Sequence, residues 1–120
     1  MVTINVIGRC IKKWMKRLRF DPAWTIRYKI VSAKDMDENA EDALACVEIS
    51  DYFSAEILFC QERLEAKALD EVVVHELLHI ILHPVALALQ DSMGKDHSQL
   101  LTNMMESTIE RLVPGYLVRR

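Results

Sequence analysis

The stretch from Glu71 to Pro84 reads EVVVHELLHIILHP. Val72, Val73, Leu77, Ile80 and Ile81 recur at helical spacing, which predicts a strongly apolar helix. Inside it, HELLH sets His75 and His79 four residues apart with Glu76 between them. On an α-helix such a pair lies about 40° apart around the axis and one turn apart along it, so both imidazoles can reach one metal ion at about 2.0–2.1 Å. Glu76 then stands beside the open position of that metal, where it can take a proton from water. With four histidines in 120 residues, chance would produce this pattern about 0.01 times.

Downstream, His83-Pro84 should end or kink the helix, because the residue before a proline is disfavoured in the α region. Val85 to Met93 then reads as a shorter helix capped by Gly94, and Leu100, Leu101, Met104, Ile109, Leu112 and Val113 as a last helix stopped by Pro114-Gly115. A metal held by two histidines needs a third protein ligand. His83 is about 12 Å along the axis from His75, too far for one ion to bind all three histidines of a straight helix. His97, in the segment after Gly94, could fold back to the metal. Glu106 and Glu110 lie one turn apart on the last helix; one could bind the metal while the other accepts the free N–H of a ligand histidine. Glu106 ranks first as third ligand, His97 second and Glu110 third. Tyr116, His97 and His83 are the candidate donors to an oxyanion.

Upstream of the motif the periodicity changes. Val2, Ile4 and Val6 alternate with polar residues as a short strand would, and Ile11, Trp14, Met15 and Leu18 then fall at helical spacing within Arg9 to Phe20. Asp21-Pro22 breaks that helix. Trp24 to Val31 alternates as a second strand, Asp35 to Asp42 is an acidic loop, and Leu44 to Ile49 and Ala55 to Phe59 are two further strands around a turn near Asp51. The exposed edge of the Ala55 to Phe59 strand could receive an extended substrate. Strands with one early helix, then helices alone, give an α+β layout filling residues 1–120 as a single domain.

Composition sets the class. A 51% hydrophobic, 28% charged chain with net charge -3 is that of a soluble globular protein. The charge is unevenly spread. Residues 1–34 hold nine basic side chains against Asp21 alone, a balance of +8, while residues 35–120 hold six basic and seventeen acidic side chains, a balance of -11. The basic helix 9–20 offers a surface for nucleic acid, an acidic partner or a membrane surface, besides being a solvated face. Cys10, Cys46 and Cys60 are odd in number and form no CxxC pair, against a disulfide framework and for a reducing cytoplasm. No secretory signal and no run of about 18 apolar residues is read, so no membrane span is expected.

HELLHIILHP after a short strand, the downstream ESTIERL helix, and FDPAWTIRY following an early helix resemble the small zincin-type metallopeptidases of phages and prophages, which are related to minimal gluzincins and to the ImmA/IrrE group. The likeness runs from about Ile7 to Leu112. It implies a zincin-like fold, with an N-terminal helix and small mixed sheet packed on an active-site helix and a C-terminal helix. It further implies zinc held by His75, His79 and Glu106, Glu76 as general base, Glu110 as acidic partner behind the ligands, and hydrolysis of a protein or peptide. In ImmA-like systems the partner is a transcriptional regulator, and a catalytically weak zincin-fold binding module is the non-enzymatic counterpart. SprT-like proteases, which act on DNA-bound proteins, also carry HExxH and a third histidine in a following segment, the place of His97. Their histidine is followed by glycine and then an aromatic residue, where this chain has Ser98 and Leu101.

Overall fold

Thr3 starts the first helix: its hydroxyl accepts a hydrogen bond from the Val6 N–H at 3.3 Å, and α1 runs from Ile4 to Arg17 in a computed structural model that describes residues 2–36, 42–50 and 53–118. The strand expected over Val2 to Val6 is therefore helix from Ile4 onward. Ile7, Cys10, Ile11 and Trp14 form a buried stripe at three- and four-residue spacing, and this longer pattern together with the Thr3 cap outweighs a short alternation. After the helix, Arg19 adopts φ 56°, Phe20 N–H reaches back to the Met15 carbonyl at 2.9 Å, and Asp21 accepts from the Ala23 N–H at 2.9 Å, closing the turn that Asp21-Pro22 predicts.

Three strands make one mixed sheet: β1 (Thr25–Val31), β2 (Ala45–Ser50) and β3 (Ser54–Cys60), in the order β1-β3-β2. β1 runs parallel to β3 with Tyr28 opposite Ile57, and β2 runs antiparallel to it with Val47 opposite Ile57. β3 is thus the central strand and not an exposed edge. The reason lies in its composition, since Ala55, Ile57 and Phe59 are buried toward the helices while Leu58 and Cys60 are buried with Met36 on the other face. β1 alternates as expected, with Ile26, Tyr28 and Ile30 packed on the core and Thr25, Arg27 and Lys29 exposed. Asp35 belongs to a short 3₁₀ turn, Ala33–Asp35; residues 37–41 of the acidic loop and residues 51–52 of the turn after β2 lie outside the described residues.

The helices cover the inner face of the sheet. Ile7, Ile11 and Trp14 of α1, Ile57 and Phe59 of β3, and Val73, Leu77 and Ile80 of α2 (Leu69–Met93) are essentially inaccessible and form one core. Each such aliphatic or aromatic side chain contributes about 1.5–3 kcal/mol on burial. Gly8 is buried where α1 crosses β1; a Cβ there would collide with the Tyr28 hydroxyl, so a larger residue would have to displace the end of that side chain. Asp70, in the first turn of α2, ties α1 to α2. Its Oδ1 accepts from Lys13 Nζ at 2.7 Å, Trp14 Nε1 at 2.7 Å and Cys10 Sγ at 3.3 Å.

α2 does not end at His83-Pro84. It continues to Met93, where Gly94 at φ 81° caps it by donating its N–H to Gln90 at 2.9 Å. Pro84 removes only the bond that would reach the Ile80 carbonyl, at a cost of about 3 kcal/mol; the turns beyond it are largely exposed and run beside α3 (Ser98–Val118), where Ala86 and Gln90 share a hollow with Ser98 and Leu101. Pro114 likewise sits inside α3, which runs past Gly115 to Val118. By length and composition alone Ala66–Met93 could cross a membrane. Its N-terminal half is instead committed to the core: Val72, Val73, Val74, Glu76, Leu77, Leu78 and Ile80 are all buried, and His75 and His79 stay partly open. The observed class is α+β, three helices with a small mixed sheet.

Candidate metal centre

The partly open His75 and His79 of α2 face α3. His75 and His79 come from consecutive turns, with ring centroids 5.0 Å apart. α2 and α3 are joined through Gly94 and a 3₁₀ turn, Lys95–His97, so that Glu106 returns opposite the histidines. One Glu106 oxygen lies 2.7 Å from His79 Nε2 and the other 3.4 Å from His75 Nε2. One ligand atom from each of the three residues falls within 4.8 Å of the others, a group that could hold a metal ion. Two imidazole nitrogens and one carboxylate oxygen form a donor set of the kind that binds divalent first-row metals.

The electrostatics suit the same arrangement. Burial pushes the Glu76 carboxyl up to about 8, and the neighbouring Glu106 charge pushes it the same way. Burial lowers the His79 pKa and the neighbouring His75 ring adds to this, outweighing the pull of Glu106 in the other direction. A depressed imidazole is neutral near pH 7, which is the form that binds metals. A cation among these groups would favour the Glu76 carboxylate, reversing what its surroundings do without one.

A hollow of about 410 Å³ opens onto the cluster, lined by His75, Glu76, His79 and Glu106 on the helix side and by Ala43, Ala45, Cys46 and Val47 on the side of β2. It shares Ala43, Ala45, His75 and Glu76 with a second hollow of about 280 Å³, and Val47 and His79 with a third of about 330 Å³. The three hollows follow β2 past the cluster. Among the described residues β2 pairs only with β3, which leaves its other edge free of them. The Leu44 carbonyl accepts from the Cys60 N–H at 2.9 Å, which fixes the phase of the ladder. Ala45, Val47 and Ile49 consequently turn their own N–H and C=O groups to the free edge.

The structure thus brings His75, Glu76, His79 and Glu106 together. Glu110 is exposed, one turn beyond Glu106, with no hydrogen bond or ion pair among the described residues. His97 is exposed in the turn between the helices and lies outside the group of converging ligand atoms. Tyr116 is exposed near the end of α3 and lines none of these three hollows. His83 does line the third hollow, beside His79, Val47 and Ile49. Sequence reasoning missed β2 as the strand beside the site. The signal was the unbroken apolar run Ile57 to Cys60, which marks β3 as central and leaves β2 as an edge. No protein-family profile, curated protein or solved structure matches this chain.

Proposed function

We propose that this chain is a zincin-like peptide hydrolase that works with a bound zinc ion. The observation that carries the reading is the convergence of His75 Nε2, His79 Nε2 and the Glu106 carboxylate beside a buried glutamate, Glu76, opposite the free edge of β2. His75, His79 and Glu106 would hold the metal, whose chemistry is to acidify a water molecule and polarise a carbonyl. Glu76 accepts the proton of the attacking water and returns it to the leaving nitrogen. The outward N–H and C=O groups of Ala45, Val47 and Ile49 hold an extended polypeptide by backbone hydrogen bonds, which demands little of its side chains. His83, in the adjoining hollow, is placed to touch the bound chain. The SprT-like alternative, in which His97 completes the ligand set, has no supporting contact among the described residues.

Chelation tests the proposal. Hydrolysis of an unfolded protein substrate should fall to background after treatment with a strong chelator and return when one equivalent of zinc is added. Hydrolysis that survives complete metal removal would exclude the mechanism.

A further inference from the structure

We propose that the outward face of α1 binds the phosphodiester backbone of a double-stranded nucleic acid, independently of the metal centre. With Trp14 fixed in the core, the 100° advance per residue places Arg9, Lys12 and Lys16 on the opposite side of the helix, and all three are exposed. They form a row with successive rises of about 4.5 and 6 Å. α1 contains no acidic residue, and among the described residues none of the three forms an ion pair. Neighbouring cations are already engaged: Lys13 bonds Asp70, and Arg17 lies 5.1 Å from the centre of the Trp14 ring. Arg19 continues the basic segment beyond the cap, in a left-handed conformation where glycine would be less strained.

The same face argues against other anionic partners. A membrane-surface helix needs a free apolar side to insert, whereas Ile7, Ile11 and Trp14 of α1 are buried in the core. A protein interface is anchored by apolar or aromatic side chains that are desolvated on contact; between Arg9 and Arg19 every exposed side chain is Lys or Arg, and the exposed Ile4 and Val6 stand in the first turn of α1, before the row begins. An ordered row of cations with no apolar side chain within it fits repeated phosphates, whose binding is driven by counterion release. The remainder of the chain, residues 35–120, carries -11, so a polyanion would be steered toward this end.

Fluorescence anisotropy of a labelled 20-base-pair duplex tests the proposal, with DNA and RNA duplexes as separate arms that identify the source of the phosphates. Three phosphate contacts predict binding about 40-fold weaker at 200 mM than at 50 mM monovalent salt. The triple variant Arg9→Gln, Lys12→Gln, Lys16→Gln should keep the thermal midpoint of the parent and lose at least about tenfold in duplex affinity at 50 mM salt. The control Lys34→Gln, Lys67→Gln, Arg111→Gln removes as many exposed charges from other elements and should keep the affinity of the parent. Absence of duplex binding at 50 mM salt, equal losses in the two triple variants, or sedimentation with phosphatidylserine vesicles in place of duplex binding would each overturn it.

Discussion

Glu76→Gln should keep its metal and lose hydrolysis by about 10²–10⁴-fold, the range expected when a general base is removed. The glutamine is isosteric and leaves His75, His79 and Glu106 in place, so metal content is the control that separates loss of chemistry from loss of the site. The same substitution has a second signature in the metal-free protein. Burial and the Glu106 charge raise the Glu76 carboxyl to about 8, above its ordinary value, so folding favours the protonated form. The contribution of this group to stability is full below about pH 4.5 and is lost as pH rises through about 8. Chelated wild type should therefore become less stable across that interval, by an amount on the order of a few kcal/mol. Glu76→Gln should remove most of that slope. Urea denaturation of both proteins at pH 6 and at pH 8.5 measures it, and parallel behaviour of the two would contradict the burial argument.

Asp70→Ala should be the most destabilising substitution among the partly exposed polar residues, at about 2–4 kcal/mol. One carboxylate oxygen receives hydrogen bonds from Lys13, Trp14 and Cys10, so its removal strips the Trp14 indole N–H of its acceptor and releases α1 from the start of α2. Burial alone would raise the Asp70 carboxyl, but the hydrogen bonds from Lys13, Trp14 and Cys10 and the Lys13 charge outweigh it and hold the group at about 2. The stability it supplies is present above about pH 4 and is lost as pH falls through about 2. Asp70→Asn should show a smaller loss at pH 7 and a flatter acid limb. Chemical denaturation at pH 7, 4 and 2.5 checks both, and an unchanged midpoint at pH 7 would refute the role of the hub. Burial, and the hydrogen bond to Asp70, push the Cys10 thiol up to about 12, so the hub is also inert to thiol chemistry.

What could be read from the sequence was mostly local. The i, i+4 histidines, the apolar periodicity of α2 and the Gly94 cap depend on residues close in sequence, and the fold carries all three. The alternation of Val2, Ile4 and Val6 misled because five residues suit either period, and Thr3 with the Ile7 to Trp14 stripe decides for helix. Pro84 and Pro114 predict stops because each removes one backbone hydrogen bond and crowds the preceding turn, yet the two helices run on past them to Met93 and Val118. The choice of Glu106 over His97 or Glu110 required the register of α3 against α2, which a single helix pattern does not specify. Strand order is the larger gap: alternation within each strand says nothing of its neighbours, and only the four consecutive apolar residues Ile57 to Cys60, which require cover on both faces, mark β3 as central and not an edge.

The central claim is that His75, His79 and Glu106 hold one metal ion, and elemental analysis of the purified protein beside its His79→Ala variant tests it most directly. The account predicts one zinc per chain in the parent and none in the variant, with helical content retained by both. A parent without stoichiometric divalent metal, or a variant that keeps it, would contradict the account.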